Sequence, residues 1–562
     1  MKTKDLIAKR LRREKAIERK NRNKQQVAQQ RTTTEMRDVE YTLPTGFSDE
    51  VLNEVKQLPN QSISQNEVMR RRDMRDVLTF TIDPDEAKDF DDALSFQILD
   101  TGNYQVGIHI ADVTHYVQEQ TALDDEAYQR GISVYLVDRV IPMLPERLSN
   151  ELCSLRPDED KLCMSVIVEM DQQAKVIRHK ICRTVIRSNY RLTYRQAQEL
   201  LENSLQFTVD SLQLTVDSGQ LREALQVLNG LAKQLRANRF RQGAINFETP
   251  EVHFRLDEHN EPVEIFFHNS LDTNHLIEEF MLLANRIVAT AIGKVKGENG
   301  KVKADNGEVK KSEEAKPMVY RVHDNPDPEK IGKLSTFIKR FGLNLKVSSN
   351  SKTTHKHINA LLDDCQGMPC QTLVETLTIR SMAKAVYSTD NIGHYGLAFP
   401  YYTHFTSPIR RYPDMMVHRL VSRYLLQSKA KCRADKEELE LACVHCSECE
   451  LAAQMAERDS IKEMHARWMS SHLGEEFDAI ISGVTEFGLF VQLTDTMTEG
   501  LVPIRTIEPH DYMQFDEENY CLIAARSGNT YTLSDKVRVR VTKVDIERKL
   551  IDFVLVEHEE YR

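Results

Sequence analysis

At 562 residues the chain is too long for a single hydrophobic core, and two to four domains are expected. With 40% hydrophobic and 29% charged residues it has the composition of a globular protein, and it has no run of 18 apolar residues to span a membrane. The net charge is −11, and the basic N-terminus has no apolar stretch behind it, so we expect no secretory signal and a cytoplasmic location.

Residues 1–40 differ in charge from the rest of the chain. They hold 13 Lys and Arg residues against six Asp and Glu residues, a net charge of +7. We interpret them as a solvated, helical or disordered arm; the alternative is an arm that contacts nucleic-acid phosphates. The remainder is strongly acidic, so any nucleic-acid channel would have to be locally basic inside an acidic shell.

Residues 41–472 mix strand and helix patterns, which predicts one large α+β domain. Alternating or apolar runs predict strands at 77–82, 104–110 and 164–170. Helical periodicity predicts helices at 194–238, 271–292 and 371–388. Residues 293–317 are rich in Gly, Lys and Glu, which predicts a disordered insertion in this domain.

An acidic segment directly follows the first of these strands. Six acidic residues lie within the ten positions from Asp83 to Asp92. Crowded carboxylates repel one another, so this arrangement is costly unless cations neutralise it, and oxygen-rich sites suit magnesium. The candidate interpretations are a solvated acidic loop, a calcium loop and a two-metal phosphodiesterase site.

The neighbours of these carboxylates separate the three interpretations. A calcium loop starting at Asp83 requires glycine where Lys88 stands and glutamate where Leu94 stands, so that interpretation fails. The aromatic Phe90 and the small Ala93 indicate a partly buried turn. A buried turn favours the two-metal site over the solvated loop.

A second segment, residues 402–419, carries two adjacent arginines after a Ser-Pro pair. Arg410 and Arg411 could clamp a phosphate bidentately. Taken alone, the same segment could be a structural turn that opens a helix.

A cysteine cluster follows within a predicted helix at about 434–470. Cys443, Cys446 and Cys449, with His445 between them, resemble a zinc site in spacing. Apolar residues at helical spacing surround them and no second ligand pair is nearby, which favours a helix core over a zinc site. We also expect no disulfides, because ten cysteines in a chain of this length are ordinary in a reducing compartment.

The last predicted domain, residues 473–558, has a pattern of short strands. Strands are predicted at 477–484, 489–493, 500–504, 537–541 and 550–555. Five short strands over about 85 residues predict a small β-barrel of the OB-fold type.

Taken together, the acidic segment and the arginine motif resemble the signature motifs of the RNase II/RNase R family of exoribonucleases, the RNB superfamily. The resemblance runs from about residue 41 to the C-terminus without the insertion, and the motif sequences are closer to those of RNase R than to those of RNase II. Five further segments agree with it: Ile141–Asn150, Glu151–Pro157, Glu278–Asn285, Tyr320–Asp324 and Asn391–Leu397.

The resemblance implies a catalytic RNB domain followed by an S1-type RNA-binding barrel. It implies processive 3′-to-5′ hydrolysis of single-stranded RNA, or of RNA with a 3′ overhang, to nucleoside 5′-monophosphates by metal-activated water. One or two Mg²⁺ ions are expected at Asp83, Asp89, Asp91 and Asp92, with Asp92 most important for the chemical step. Arg410 matches the arginine that steadies the scissile phosphate.

The resemblance also implies positions that contact RNA. Tyr135 and Phe247 match an aromatic pair that clamps the terminal bases, and Arg411 is the neighbour of the catalytic arginine. Tyr194 and either Glu278 or Glu279 match positions that contact the last nucleotide. In the barrel we expect a stacking face formed by Phe487, Phe490 and His510, with at least one of the two phenylalanines exposed.

The chain departs from the family pattern at its N-terminus. Members usually carry two cold-shock-type RNA-binding domains before the catalytic domain, whereas about 70 residues precede the strand that leads into the acidic segment here, so we expect both to be missing. The expected partner is RNA, bound by a monomer. A catalytically silent RNA-binding protein with the same fold is the alternative, and a DNA exonuclease or a metal-binding structural protein are further ones; the intact aspartates and Arg410 favour the exoribonuclease.

Overall fold

The computed structural model describes Pro44 and residues 46–556, apart from gaps at 60–62, 203–217, 246–250, 269, 294–301, 304–308, 311–315, 347–350, 369, 427–433 and 517–518. The predicted arm at 1–40 and Phe247 lie outside these residues, as does most of the predicted insertion. The described residues of the insertion include a short antiparallel strand pair, 302–303 with 309–310. No helix of the described chain is both long and apolar enough to cross a membrane.

A seven-stranded sheet is the scaffold of the larger part of the chain. Its strand order is β1-β8-β7-β4-β3-β2-β9, and neighbours are antiparallel except for β1 with β8 and β2 with β9. The strands of this region, in chain order, are β1 (Arg72–Asp73), β2 (Thr79–Asp83), β3 (Asp92–Ile98), β4 (Tyr104–Ala111), β5 (Val134–Tyr135), β6 (Val140–Ile141), β7 (Asp160–Met170), β8 (Val176–Arg187) and β9 (Tyr190–Thr193).

Short helices connect these strands and longer ones pack against the sheet. The helices up to residue 293 are α1 (Asp49–Gln57), α2 (Gln65–Met69), α3 (Val113–Tyr116), α4 (Ala122–Arg130), a π-helical turn (Arg147–Leu152), α5 (Tyr194–Leu201), α6 (Ser218–Arg241) and α7 (Asp272–Gly293). Central strand β7 is buried along nearly its whole length, as expected for a strand covered on both faces. The sheet and these helices therefore share one hydrophobic core.

The middle of the chain adds small strand pairs and further helices. Its strands are β10 (Glu251–Leu256), β11 (Pro262–His268), β12 (Val302–Lys303), β13 (Val309–Lys310), β14 (Tyr320–Val322) and β15 (Val386–Ser388). Its helices are α8 (Pro328–Phe337), a 3₁₀ turn (Ile338–Phe341), α9 (Ser351–Cys365), α10 (Gln371–Ser381), α11 (Tyr412–Val421), a π-helical turn (Ser422–Leu426) and α12 (Lys436–Ser470).

The helix predicted at 371–388 is too long. The structure ends α10 at Ser381, where Met382 takes an extended backbone, and residues 386–388 form strand β15. Strand β15 pairs with β14 and buries Tyr387. Pairing with a strand distant in sequence has overridden the local helical pattern.

The cysteine cluster lies on the long helix α12, as predicted. Cys443 and Cys446 are buried and Cys449 is half-buried. Burial raises the pKa of the Cys443 thiol above its ordinary value. Cys443 and Cys446 are part of the apolar packing between this helix and the core built on the seven-stranded sheet.

A closed five-stranded barrel, ordered β16-β17-β18-β23-β22, follows α12. The predicted α+β class with a small C-terminal barrel is confirmed. A three-stranded sheet, β19-β20-β21, is not predicted by the sequence pattern, because its strands span only three or four residues each. The elements are β16 (Glu476–Thr485), β17 (Gly488–Leu493), β18 (Glu499–Pro503), α13 (Ile504–Ile507), β19 (Met513–Asp516), β20 (Cys521–Ala524), β21 (Thr530–Thr532), β22 (Lys536–Asp545) and β23 (Leu550–Leu555).

Candidate active site

Two strand ends bring the first and last aspartates of the acidic segment to one edge of the sheet. Strand β2 ends at Asp83 and its antiparallel neighbour β3 begins at Asp92. On the other side, β2 runs parallel to β9, with Asp83 opposite Thr193. Thr193 caps helix α5 through a capping box, so Tyr194, its first residue, starts beside the carboxylates.

The loop between these strands is held by hydrogen bonds from three directions. The Ser154 hydroxyl accepts from the Phe90 N–H at 3.0 Å and donates to the Lys88 carbonyl at 2.7 Å. The Ala111 N–H donates to the Asp91 carbonyl at 2.9 Å. Arg191 donates to the carbonyls of Pro84 and Asp85, both at 2.8 Å. The carboxylates therefore sit on a fixed backbone.

Asp91 connects this loop to the arginine segment. Its side chain is 4% exposed, and its Oδ1 accepts from the Ile409 N–H at 2.8 Å. The Arg410 Nε lies 3.5 Å from its Oδ2. Burial raises the pKa of Asp91 well above its ordinary value, and the Arg410 charge opposes that shift. The two segments singled out in the sequence thus meet at one buried carboxylate.

The pKa values of Asp83 and Asp92 are raised as well. Burial, together with the charge of Asp92, raises the pKa of Asp83 to about 8. Burial also raises the pKa of Asp92, against the charges of Arg410 and Arg411. Both shifts indicate carboxylates short of neutralising charge.

The donor set fits a hydrated magnesium ion. Within the described residues, the buried Oδ2 atoms of Asp83 and Asp91 receive no hydrogen bond, and such orphaned carboxylate oxygens are costly. Among the described residues, no three His, Cys, Asp or Glu side chains lie together in a group that could hold a metal ion by themselves. Magnesium keeps several waters and binds through one or two carboxylates plus substrate phosphate, so it does not need three protein ligands in one group.

The two adjacent arginines have different surroundings. The Arg411 guanidinium donates to both carboxylate oxygens of Asp414, at 2.8 and 3.0 Å, and Asp414 is fully buried. The Arg410 side chain is 44% exposed and donates to the Ser407 hydroxyl at 3.1 Å. Arg410 therefore has donors available for a ligand at the carboxylates, whereas the fork of Arg411 holds its own loop.

Two of the predicted aromatic residues border the carboxylates. The Tyr135 hydroxyl donates to Asp89 Oδ2 at 3.0 Å, and its residue is 37% exposed. Tyr194 is partly buried, and burial followed by the charges of Asp92 and Asp83 raises its pKa. The structure thus brings Tyr135, Tyr194 and the four aspartates together.

The predicted glutamates lie along helix α7, beyond the residue that contacts Tyr194. The Thr273 hydroxyl donates to the Tyr194 carbonyl at 2.9 Å. Glu278, further along, accepts from Arg236 and Arg239 at 3.2 and 3.1 Å and is 42% exposed on its side chain. Glu279 is buried and accepts from Arg239 at 3.1 Å. Glu278 is thus the more accessible of the two.

The predicted stacking residues lie in the C-terminal barrel, on other elements than the carboxylates. Phe487, in the turn between β16 and β17, is 63% exposed, which confirms the expectation of an exposed phenylalanine. Phe490 is half-buried and packs on Gly483, where an added Cβ would lie 3.3 Å from the Phe490 side chain. His510 is exposed in the loop after α13.

Sequence reasoning missed Glu457 of helix α12, which reaches the same site. Its carboxylate accepts from the Tyr135 N–H at 3.3 Å, and Ser460 one turn on accepts from the Val137 N–H at 3.0 Å. Burial raises the pKa of Glu457, and Arg410 opposes the shift. No local signal marks this residue, because its partners lie more than 320 positions away.

Comparisons with known proteins agree with this geometry. The RNB domain family matches residues 71–427 and the S1 RNA binding domain family matches residues 472–555. Ribonuclease R of Aquifex aeolicus is 40% identical over 517 residues, 92% of this chain and 69% of the relative. Ribonuclease R of Thermotoga maritima is 39% identical over 522 residues, with the same coverage. Mycoplasma genitalium RNase R, solved in complex with ribose methylated single-stranded RNA, superposes with a TM-score of 0.80 at 27% identity, covering 91% of this chain and 76% of that one.

Proposed function

This chain belongs to the RNB family, among its ribonucleases R, and from that premise we propose that it removes single nucleotides from the 3′ end of single-stranded RNA with the help of Mg²⁺. It is a hydrolytic 3′-to-5′ exoribonuclease that binds RNA. The retained carboxylates and Arg410 favour this function over a catalytically silent RNA-binding protein. We propose a catalytic domain at 41–472 and an RNA-binding barrel at 473–558.

One observation carries the proposal: a cationic side chain with free donors faces buried carboxylates that lack neutralising charge. Arg410 approaches Asp91 to 3.5 Å while the Oδ2 atoms of Asp83 and Asp91 receive no hydrogen bond from the described residues. A phosphodiester brings negative charge to such a site, and divalent cations are needed to hold it beside carboxylates. Hydrolysis of a phosphodiester uses both the cationic side chain, which binds phosphate, and the carboxylates, which bind the metal.

The protein's own residues position and stabilise the reacting phosphate. Asp83, Asp89, Asp91 and Asp92 would hold one or two magnesium ions, with one or two carboxylates to each ion, and the metal would supply an activated water and neutralise the leaving oxygen. Asp92 starts strand β3 and is held by the β3–β4 ladder, so its carboxylate is pre-positioned. Arg410 binds the phosphate oxygens and stabilises the charge that develops on them during attack. Water adds to phosphorus, and the departing ribose oxygen stays with the shortened strand, which leaves a 5′-monophosphate.

The surrounding residues explain a preference for single-stranded RNA. Tyr135 offers a partly exposed ring at the entrance to Asp89, and stacking of bases on aromatics is nearly independent of sequence. Tyr194 and Glu278 offer a hydroxyl and a carboxylate that can bind a ribose 2′-hydroxyl, which DNA lacks. Arg411 fixes the loop that carries Arg410. We assign the same RNA-contacting role to Phe247 of the clamp and to His510 and Phe490 of the barrel. Of Glu278 and Glu279 we assign Glu278, because Glu279 is buried and paired with Arg239.

Substrate class is tested with matched oligonucleotides. RNA and DNA of the same sequence, each as a single strand, are incubated with Mg²⁺, Ca²⁺ or EDTA, and the products are separated by chromatography. We expect nucleoside 5′-monophosphates from RNA with Mg²⁺ and no product with EDTA. Equal degradation of DNA would contradict the ribose assignment, and unchanged activity in EDTA would contradict the metal assignment.

Tyr135 gives a test of stacking that separates its ring from its hydroxyl. Tyr135→Ala should weaken RNA binding by about 1–3 kcal/mol, because one base loses its stacking partner. Tyr135→Phe keeps the ring and loses only the 3.0 Å bond to Asp89, so it should bind RNA within about twofold of the parent. Binding is measured by fluorescence anisotropy in EDTA. Equal loss in both variants would contradict a stacking role.

The barrel gives a second, independent test of RNA binding. Phe487→Ala should weaken RNA binding by about 1–3 kcal/mol with little effect on stability, because Phe487 is exposed. Tyr512→Ala is the matched control, since it removes another exposed aromatic ring, on the segment before β19. Affinity and melting temperature are measured for both. Unchanged affinity of the Phe487 variant would remove this residue from the RNA-binding surface.

A further inference from the structure

A cavity of about 210 Å³ lies between helices α6 and α7 and the turn that joins β7 to β8. Its polar lining includes three cations, Lys175, Arg239 and Arg286, against one carboxylate, Glu279. A lining with more cations than anions attracts a negatively charged ligand. Such a ligand can bind only to a cation that is not already paired with a carboxylate.

Arg239 is already neutralised, whereas Arg286 is not. Arg239 donates to Glu278 at 3.1 Å and to Glu279 at 3.1 Å, so its charge is paired. The Arg286 guanidinium makes no hydrogen bond or ion pair with any described residue, and its carbon lies 5.2 Å from the centre of the Phe399 ring. Burial lowers its pKa, with only the charge of Glu279 opposing. A half-buried cation with no anion in hydrogen-bond contact is costly, and an anionic ligand would relieve that cost.

The turn that carries Lys175 and the catalytic carboxylates lie at opposite ends of neighbouring strands. Asp92 lies opposite Ile110 at one end of the β3–β4–β7 ladder, and Ile98 lies opposite Tyr104 at the other. Tyr104 in turn pairs with Met170, just before the turn that carries Lys175. Six residues along a strand span about 20 Å, so Lys175 and the aspartates are too far apart to share one phosphate.

We propose that this cavity is a second binding site, for a phosphate group of a nucleotide. Arg286 and Lys175 bind the phosphate oxygens, because a planar guanidinium matches the geometry of phosphate. The side-chain amides of Asn238 and Gln242, which also line the cavity, supply donors and acceptors for the adjoining sugar. The volume is below that of a typical drug-sized pocket, which suits a phosphate with a small attached group.

The phosphate can come from a free mononucleotide or from the RNA strand, and the two sources differ in size and charge. A free nucleoside 5′-monophosphate carries a phosphomonoester, whereas the strand offers phosphodiesters. The two sources are therefore probed separately, with 5′-AMP and inorganic phosphate in one arm and a 5′-hydroxyl RNA oligonucleotide in the other.

Binding is measured by calorimetry in EDTA, where no hydrolysis takes place. The variants are Arg286→Gln and Lys175→Gln, and the second changes only an exposed turn residue and so leaves folding intact. Lys233→Gln is the control. It removes an exposed cation from helix α6, which borders the cavity, but Lys233 pairs with Asp272 and is not one of the residues that line the cavity. Melting temperatures are recorded for all three.

We expect Arg286→Gln to weaken binding of the phosphate probe about tenfold or more, Lys175→Gln to weaken it less, and Lys233→Gln to leave it unchanged. Loss of affinity for 5′-AMP and inorganic phosphate assigns the site to a free nucleotide. Loss confined to the oligonucleotide assigns it to the strand. Unchanged affinity for all three probes in both cavity variants overturns the proposal, and it does so without bearing on hydrolysis at the aspartates.

Discussion

Asp92→Asn is expected to lower the rate of RNA hydrolysis by at least about 10³-fold while RNA binding is retained. Asp92 begins β3 next to Asp83, and replacing its carboxylate removes an oxygen charge from the proposed magnesium site. The side chain keeps its size and polarity, so the strand register should be unaffected. Rates are measured under single-turnover conditions and affinity by anisotropy in EDTA.

The matched control for this variant is Asp85→Asn. Asp85 lies in the same loop and is exposed, and the contact it makes with Arg191 is through its backbone carbonyl. Its variant should hydrolyse RNA at nearly the parent rate. The Asp92 variant should melt at the same temperature as the parent or higher, because it relieves repulsion with Asp83. A rate within tenfold of the parent for Asp92→Asn would contradict its assignment to the site.

Arg410→Ala is expected to lower kcat by about 10²–10³-fold with little change in stability. Its side chain is 44% exposed and its one hydrogen bond to the described residues is with Ser407, so truncation leaves no buried group unpaired apart from the weak contact with Asp91. The lost interaction is with phosphate charge that develops in the transition state. The measurement is kcat and KM on single-stranded RNA together with thermal unfolding.

Arg411→Ala separates the two arginines. Its removal leaves the buried Asp414 carboxylate without its bidentate partner, which should destabilise the fold by about 3 kcal/mol. The Arg410 variant should therefore lose activity but keep its stability, whereas the Arg411 variant should be less stable than the parent. The reverse pattern would show that their roles are exchanged. Loss of both properties in each variant would contradict separate roles.

The acidic segment and the arginine motif could be located from sequence because each is a dense local pattern. The run from Asp83 to Asp92 follows an apolar strand, and Arg410 follows a Ser-Pro pair. The family resemblance drawn from these motifs is confirmed. The roles of the individual residues within them stay predictions, since identifying the family does not measure what each side chain does.

Other features depended on contacts that no local pattern encodes. Glu457 reaches Tyr135 from a helix more than 320 positions away, so its place in the site appears only when the chain is folded. The local pattern predicts the end of a helix where strand β15 forms, because the pairing partner of this strand, β14, is more than 60 residues earlier. The division of labour between Arg410 and Arg411 follows from the burial of Asp414, which composition alone does not reveal.

The most direct test of the central claim is the digestion of a 5′-labelled single-stranded RNA with Mg²⁺, beside the Asp92→Asn variant. The account predicts a ladder of labelled fragments that shortens from the 3′ end with the parent protein, and intact RNA with the variant or with EDTA. Immediate release of a labelled mononucleotide would contradict 3′-to-5′ polarity. Intact RNA that stays bound to the parent protein would contradict hydrolysis itself and favour the silent RNA-binding alternative.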